Sequence, residues 1–349
     1  MMRGEIGMVN KKKKGKTISV GVIGGGYWGK NLIRNFDQID SINLDYICDL
    51  DQKKLTTYKK IYRRVKTTPT YLDVIQDPNI DAVAIALPVS KHFKCARDAL
   101  NSGKHVLLEK PMTDNYKEAQ ELVKLAEKKG LILMVDHIWE YTEAIRKIKE
   151  IYNSKQLGKI YYIRADWHNL GLLQPDVNVI WDLAPHLIST INSITGNKLK
   201  SVNATAQECI VKDIPEFGRV QLNYSRGLKA YLSFGWLEPK KTRELTIVGS
   251  KKMLVFDMTN NEEPIKIYDK GVNIKPKDIQ SRINYKYGDI LSPAIKNIEA
   301  LSTLCNHFKD CILNNSIKQK TSGSEGAKII EALEAIDKSV EKNGVEVKL

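Results

Sequence analysis

The chain has 349 residues, 42% hydrophobic and 28% charged, an ordinary globular composition with enough length for two domains. No apolar run reaches the roughly 20 residues of a membrane span, and no apolar segment of a secretory signal follows the N-terminus. The five cysteines form no Cys-x-x-Cys pair, so we predict neither a zinc ribbon or other metal site nor a disulfide framework. These features predict a reduced, cytoplasmic protein.

The net charge of +14 raises the question of nucleic acid. Part of the excess is the lysine run from Lys11 to Lys16, and we predict residues 1–16 to be a disordered basic tail. The other lysines alternate with glutamates, and no basic stripe carries interleaved aromatics. We therefore predict no nucleic-acid partner, whereas the basic background weakly favours an anionic substrate such as a nucleotide sugar.

From residue 17 the chain alternates short β-branched runs with amphipathic stretches. Strands are predicted at 18–23, 43–48, 82–86, 105–108 and 131–135. Helices are predicted at about 27–36, from a cap at Asp51, at 90–101, and from Thr113 or Asp114 to Gly130. This alternation indicates a parallel sheet covered on both faces, a doubly wound α/β fold over residues 17–140.

The pattern changes after Tyr141, where we place the start of a second domain, 141–349. Its predicted elements are a helix to about Asn153, strands at 228–236, 245–248, 253–256 and 345–349, and helices at 292–315 and 323–342. The strands alternate with period two, as half-exposed antiparallel strands do, and Gly249-Ser250 joins two of them in a hairpin. One sheet face should pack on helices. The other, carrying Tyr161, Tyr224 or Tyr231, should bind substrate or a second subunit.

The first strand runs into the turn Gly24-Gly25-Gly26-Tyr27-Trp28-Gly29, which fits G-x-G-x-x-G and opens a predicted helix. One glycine makes the tight turn, one lets a pyrophosphate approach the backbone, and one lets the helix pack closely on the strand. The free N–H groups of the helix N-terminus then face the phosphates. The turn therefore predicts a dinucleotide site.

Asp49 stands at the end of the second strand, 20 residues after Gly29, where an acid holds the ribose hydroxyls of the adenosine. Its charge would repel a 2′-phosphate, and no arginine follows it directly. We therefore favour NAD(H) over NADP(H), although Lys53 and Lys54 keep NADP(H) as an alternative.

Two groups suggest catalysis. Lys110, in Glu109-Lys110-Pro111, directly follows a buried strand, where an ammonium can face a substrate oxygen; the alternative is a surface turn. Asp182 and His186 are four residues apart and share a helix face, as a proton shuttle requires; the alternative is a cap and a packed histidine. Pro185 is tolerated only in a first turn, which places Asp182 near the helix N-terminus.

The order of these three motifs resembles the glucose–fructose oxidoreductase, inositol dehydrogenase and rhizopine catabolism (Gfo/Idh/MocA) family, from about residue 17 to the end of the chain. The resemblance implies an N-terminal Rossmann domain. It also implies a C-terminal α/β domain with a large open, mainly antiparallel sheet, which commonly forms the oligomer interface. We therefore expect a homodimer or homotetramer.

The resemblance also implies roles for the motif residues. Lys110, beside Glu109, would contact the nicotinamide ribose and the substrate. His186 would be the general acid/base, and Asp182 would orient the sugar and support the proton relay. No catalytic role transfers to residues 136–139, which match the family less well.

The segment Ala86-Leu87-Pro88 with His92 resembles the family segment at the nicotinamide end of the cofactor. Pro88 and His92 match well. Leu87 stands where many members carry threonine, so a side-chain hydrogen bond there is not expected.

Residues 178–186 and 235–243 resemble a subgroup that acts on C3 of sugars such as UDP-N-acetylglucosaminuronate in surface-polysaccharide pathways. Lys240, Lys241 and Arg243 either meet an anionic group or form a solvated strand end. The predicted substrate-side residues are Lys110, Asn169, Trp181, Asp182 and His186, and Trp167 and His168 either join them or pack.

The leading hypothesis is an NAD(H)-dependent sugar or nucleotide-sugar dehydrogenase. An inositol or polyol dehydrogenase is the alternative within enzymes. A non-catalytic NAD-binding regulator is the alternative from another class; it predicts missing catalytic groups, whereas Lys110, Asp182 and His186 are all present.

Overall fold

The computed structural model of the chain describes residues 16–171, 177–273 and 284–349. Lysines 11 to 14 of the predicted basic tail lie outside these residues. The described chain contains two sheets, one of six strands and one of nine. No helix in the described ranges is both long and apolar enough to cross a membrane.

The first sheet is entirely parallel, with the strand order β3-β2-β1-β4-β5-β6. Its strands are β1 (Ile18–Ile23), β2 (Ile42–Cys48), β3 (Lys66–Thr68), β4 (Ala82–Ile85), β5 (His105–Leu108) and β6 (Leu133–Val135). The order reverses between β1 and β4, which makes the crevice at their C-terminal ends the expected ligand site. The predicted doubly wound fold is therefore confirmed.

Five helices cover this sheet: α1 (Gly29–Asp37), α2 (Gln52–Ile61), α3 (Tyr71–Gln76), α4 (Val89–Asn101) and α5 (Tyr116–Lys129). The predicted cap at Asp51 is confirmed, since its carboxylate accepts the N–H groups of Lys53 and Lys54. The predicted start of α1 at residue 27 is wrong by two residues, because the glycine turn continues to Trp28.

The ends of α5 differ from the prediction. The cap is Asn115, whose side chain accepts the N–H of Glu118 at 2.9 Å, and not Thr113 or Asp114. Thr113 instead donates its hydroxyl to the carbonyl of Asn115 at 2.7 Å. After Gly130 the N–H of Leu131 bonds back to Ala126 at 2.9 Å, so β6 begins two residues later than predicted.

The second sheet has the order β14-β13-β12-β11-β7-β10-β9-β8-β15. Its strands are β7 (Ile160–Leu170), β8 (Leu199–Gln207), β9 (Phe217–Tyr224), β10 (Lys229–Gly235), β11 (Leu237–Gly249), β12 (Met253–Asp257), β13 (Ile265–Asn273), β14 (Asn284–Leu291) and β15 (Val347–Lys348). Among the described strand pairs of this second sheet only β7–β10 is parallel, which confirms the predicted mainly antiparallel sheet.

Helices α6 (Glu143–Asn153) and α7 (Val179–Thr195) accompany this sheet, after a short 3-10 helix at Ile138–Tyr141. The predicted hairpin is confirmed, with Val248 opposite Met253. Tyr161 and Tyr231 are exposed on the face away from α7, as predicted. The prediction for Tyr224 is wrong: it is buried on the helix side and donates its hydroxyl to Asn192 at 2.9 Å.

The last helices are α8 (Ala300–Leu313) and α9 (Gly323–Glu341). The predicted start of α8 at residue 292 is wrong, because 292–299 has no regular structure. Leu304 and Phe308 of α8 are fully buried in one core with Leu32 and Phe36 of α1. The chain thus returns to the first sheet after completing most of the second, and α8 packs as part of the cofactor half.

Candidate active site

The glycine turn sits at the C-terminal end of β1, and its glycines are required for different reasons. Gly24 has a φ of 98°, and a Cβ there would lie 2.2 Å from the carbonyl oxygen of Ala86. A Cβ on Gly29 would lie 1.7 Å from the carbonyl oxygen of Gly24, so helix and strand meet closely there. A Cβ on Gly26 would meet no atom within 4 Å. The backbone at Gly26 is therefore open, as the approach of a pyrophosphate requires.

Asp49 lies beside this turn, as predicted. Its Oδ2 accepts the N–H of Gly25 at 2.9 Å, and its Oδ1 accepts the N–H of Asp51 at 2.8 Å. Lys54 approaches the same carboxylate at 3.3 Å. The carboxylate is thus oriented by backbone at the edge of the dinucleotide site, and it remains our predicted ribose ligand.

His92, on α4, is buried and lies between two backbone carbonyls. Its Nδ1 is 2.9 Å from the oxygen of Pro111 and its Nε2 is 2.7 Å from the oxygen of Leu87. Burial lowers the pKa of His92. The ring therefore connects the Leu87-Pro88 segment to the turn that carries Lys110. These two contacts stabilise that part of the predicted cofactor site.

A cavity of about 480 Å³ opens next to Lys110, between the C-terminal ends of the first-sheet strands and the second sheet. Its lining residues are Tyr27, Trp28, Glu109, Lys110, Asp136, Ile138, Trp139, Thr142, Trp167, Asp182, Leu183, His186, Arg243 and Ala300. The three predicted catalytic residues, Lys110, Asp182 and His186, therefore share one cavity.

Lys110 and Asp182 are directly bonded. The Nζ of Lys110 is 2.9 Å from the carbonyl oxygen of Asp182 and 3.0 Å from its Oδ1. Both side chains are mostly buried, so the pair fixes the ammonium at the cavity wall. An ammonium has three N–H donors, which leaves one for a ligand.

The helix that carries Asp182 and His186 begins earlier than predicted. Asn178 caps α7 by accepting the N–H groups of Ile180 and Trp181 at 3.0 Å. Pro185 consequently lies in the second turn, and the prediction of a first-turn proline is wrong. Pro185 lacks the N–H that would bond the carbonyl of Trp181, and its ring lies against that carbonyl.

His186 is half-buried and packs against aromatic rings. It stacks on Trp167 with ring centroids 5.5 Å apart and planes inclined by 17°, and the ring of Trp139 is 6.5 Å away. Its Nδ1 has no hydrogen-bond partner in the described part of the chain. Burial, reinforced by the charge of Lys110, lowers the pKa of His186 well below 6.5. The imidazole is therefore neutral at pH 7 and can accept a proton.

Two acids, the half-buried Glu109 and the buried Asp136, also line the cavity, and sequence reasoning gave no role to Asp136. Asp136 follows β6 and accepts the indole N–H of Trp28 at 2.7 Å. Glu109 follows β5, and burial together with the Asp136 charge raises its pKa well above 4.5. Burial also raises the pKa of Asp136. Their positions after neighbouring parallel strands are the signal that would have placed them together.

The remaining predicted residues lie elsewhere. Trp181 donates its indole N–H to Asp337 of α9 at 2.7 Å and does not line the cavity. Asn169 points toward Gly171, also outside the cavity. His168 lies 2.8 Å from Glu238, on the other side of β7 from Trp167. Sequence reasoning missed Trp139 as a lining residue.

Two family models match this chain. The NAD-binding Rossmann-fold model of the GFO/IDH/MocA oxidoreductase family matches residues 18–137, and the C-terminal domain model of the same family matches residues 145–255. Together they cover more than half of the chain. The chain therefore belongs to the Gfo/Idh/MocA oxidoreductase family, and its first sheet forms an NAD-binding domain.

Two relatives are named for different activities. UDP-N-acetylglucosamine 3-dehydrogenase of Acidithiobacillus ferrooxidans is 28% identical over 56% of this chain and 61% of its own length. The scyllo-inositol 2-dehydrogenase (NADP(+)) IolW of Bacillus subtilis is 23% identical over 72% of this chain and 72% of its own. The chain spans 50% to 62% of the length of other curated relatives.

Solved structures extend the likeness to the whole fold. The Acidithiobacillus ferrooxidans enzyme has a TM-score of 0.76 at 22% identity, over 93% of this chain and 98% of that one. GenD2 from gentamicin A biosynthesis, crystallised in complex with NAD, has a TM-score of 0.81 at 18% identity, over 98% and 99%. At these identities the likeness shows the fold alone.

Proposed function

We propose that this protein is an NAD(H)-dependent dehydrogenase of sugars or nucleotide sugars that transfers hydride at a ring carbon. The observation that carries the proposal is the shared cavity of Lys110, Asp182 and His186 at the C-terminal edge of an NAD-binding sheet. The open backbone at Gly26 fits a bound dinucleotide. The chemistry that NAD(H) supplies when bound is the acceptance or donation of hydride.

Lys110 contributes charge at a fixed place. Asp182 holds two of its N–H donors, so the third is directed by the protein and not by solvent. In alcohol oxidation this donor would bind the substrate hydroxyl oxygen and stabilise the negative charge that develops as its proton leaves. Asp182 would also accept a hydrogen bond from a neighbouring hydroxyl of the sugar.

His186 contributes the base. Because its pKa lies well below 6.5, the ring is neutral and can take the hydroxyl proton while the C–H hydride departs, which yields a ketone. In the reverse direction the protonated ring returns the proton to the alkoxide. Aromatic packing by Trp167 and Trp139 keeps water from the ring and fixes its orientation.

The proposed substrate is argued from two relatives as well as from the cavity. A relative that acts on UDP-N-acetylglucosamine at C3 supports a nucleotide sugar and the C3 position, of the UDP-N-acetylglucosaminuronate 3-dehydrogenase type. An inositol or polyol dehydrogenase is the second candidate, because another relative carries a scyllo-inositol activity. The aromatic wall of Trp139 and Trp167 fits the apolar face of either ring.

The test is a steady-state assay of NAD⁺ reduction with four substrates: UDP-N-acetylglucosaminuronate, UDP-N-acetylglucosamine, scyllo-inositol and myo-inositol. We expect turnover of at least one nucleotide sugar and a loss of about 10²–10⁴-fold in Lys110→Ala. The exposed Lys117→Ala is the matched control. Turnover of the inositols alone would select the second candidate, and full activity of Lys110→Ala would contradict the mechanism.

A further inference from the structure

Arg243 occupies a position on β11 that the alternation of the strand assigns to the core. Leu245 and Ile247, on the same face, are completely buried, and Trp167 lies directly opposite Arg243 on β7. A charged side chain on such a face is unfavourable unless an anion pairs with it. An anionic partner is therefore expected beside Arg243.

The guanidinium is held in place, and no acid in the described ranges forms a salt bridge with it. Its central carbon lies 4.5 Å from the centroid of the Trp167 ring, a cation–π contact. Its Nε is buried and has no hydrogen-bond partner in residues 16–171, 177–273 and 284–349. Burial lowers the pKa of Arg243, but a guanidinium keeps its charge over the range in which proteins are folded. Arg243 therefore brings a positive charge to the cavity wall.

The carboxylates inside the cavity have other partners. Asp182 is near enough for its charge to favour the charged form of Arg243, but its hydrogen bonds go to Lys110. Asp136 accepts from Trp28.

The remaining nearby acids are also unsuitable. Glu109 has a raised pKa that favours its neutral form. Glu244 follows Arg243 on the strand but points to the other face, where it pairs with Arg164 at 2.7 Å. Among the described residues no carboxylate is bonded to Arg243, which leaves its charge available to an anionic ligand.

We propose that Arg243 binds an oxyanion of the substrate, a ring carboxylate or a nucleotide phosphate, while Lys110 and His186 hold the reacting hydroxyl. The inference rests on the proposed function, because it assigns the anion to the same sugar substrate. The planar fork of a guanidinium matches both oxyanions in bidentate geometry. The neighbouring Lys240 and Lys241 are exposed and lie outside the cavity.

The experiment compares Arg243→Gln with Lys241→Gln, an exposed charge removed two residues earlier on the same strand. The readout is kcat/KM for four sugars: UDP-N-acetylglucosaminuronate, UDP-N-acetylglucosamine, N-acetylglucosaminuronate and N-acetylglucosamine. These differ only in the ring carboxylate and in the nucleotide. We expect Arg243→Gln to lose about 10²-fold on the sugars that carry the recognised anion, and Lys241→Gln to change none of them.

The pattern of loss identifies the anion. A loss confined to the two uronates assigns the ring carboxylate, and a loss confined to the two UDP-sugars assigns the phosphate; either result supports the proposal. An equal loss on all four sugars, or no loss on any, overturns it. Arg243→Lys, which keeps the charge without the fork, should recover part of the activity on the anionic substrates.

Binding measurements separate this inference from the proposed function. Calorimetric titration of the NADH-loaded protein uses glucuronate against glucose and UDP against uridine as probes. If an anion binds and Arg243→Gln abolishes that binding, the anion site is supported. If in that case no sugar is turned over, only the proposed function is contradicted. If neither anion binds more tightly than its neutral counterpart, the inference fails whatever the enzyme oxidises.

Discussion

Lys110 and His186 occupy the same cavity in opposite hydrogen-bonding states. Lys110 gives two of its donors to Asp182, whereas the Nδ1 of His186 has no partner among the described residues. A bonded cation is held in one orientation, and an imidazole that is partly desolvated beside the Lys110 charge stays neutral. The two residues are thereby suited to charge stabilisation and to proton transfer.

This difference predicts the pH dependence of catalysis. Because the pKa of His186 is lowered well below 6.5, kcat/KM for sugar oxidation should keep its plateau below pH 6.5 and fall only as the pH drops through the lowered pKa. His186→Asn should lower kcat/KM by about 10²–10⁴-fold and remove this acid limb. A pH–rate profile of both proteins is the measurement. An acid limb centred above 6.5 would contradict the assignment.

Glu109 predicts a pH dependence of stability. Its folded pKa lies above its unfolded one, so protonated Glu109 contributes stability that is complete below pH about 4.5 and is lost as the pH rises through the folded pKa. Glu109→Gln is neutral throughout, and at alkaline pH it should exceed the parent by roughly 1–3 kcal/mol of unfolding free energy.

Denaturant unfolding of the ligand-free protein, repeated across the pH range, measures this difference. Glu127→Gln, at an exposed position of α5, is the control and should follow the parent. A constant difference between Glu109→Gln and the parent at every pH would show that Glu109 does not titrate as proposed.

At the scale of elements, the turn between β1 and α1 contains one glycine that folding requires and another that leaves room for the cofactor. Gly29 is needed because helix and strand backbones meet there, whereas Gly26 leaves open space. The two glycines are therefore required for different reasons, and single substitutions can distinguish an effect on stability from an effect on NAD⁺ binding.

We predict that Gly29→Ala lowers the unfolding free energy by about 1–3 kcal/mol, since its Cβ would lie 1.7 Å from the oxygen of Gly24. Gly26→Ala should leave the stability of the ligand-free protein unchanged but raise the Kd for NAD⁺ by about tenfold or more, because the Cβ fills the approach to the backbone. Thermal unfolding and fluorescence titration measure the two effects. Equal losses in both variants would contradict the division.

At the scale of the molecule, the nine-stranded sheet has one covered and one open face. Tyr161, Tyr162 and Tyr231 lie on the open face with 55%, 41% and 40% of their surfaces exposed, and the rings of Tyr162 and Tyr231 are 6.3 Å apart. An apolar cluster of this kind on a broad sheet suits association with a second copy. We propose a homodimer or homotetramer built on this face.

Tyr231→Glu should therefore shift the protein toward monomer, because it buries a charge in the proposed interface. Light scattering with size-exclusion chromatography measures the mass. Ile61→Glu, at a 63% exposed position on α2 of the other half, should leave the mass unchanged. A parent that is monomeric at all concentrations would refute the proposal.

Much of the fold followed from local patterns. The glycine turn, the Asp51 cap and the hairpin at Gly249-Ser250 are encoded by neighbouring residues, so they were predictable. Strands such as β8 were not, because Val202 and Ala204 are its only buried apolar residues and most of its other positions are polar. The late start of α8 and the cap at Asn115 depend on competing local bonds that composition does not rank.

The sequence by itself determined the family, the NAD-binding turn and the three residues proposed for catalysis, since each lies in a short motif whose chemistry is set by adjacent residues. Only the tertiary structure decided which groups meet. It joined Lys110 to Asp182 across 72 positions and Trp28 to Asp136 across 108, and it placed Arg243 against Trp167. Such contacts depend on the path of the whole chain, because packing between sheets brings together side chains that no local period relates.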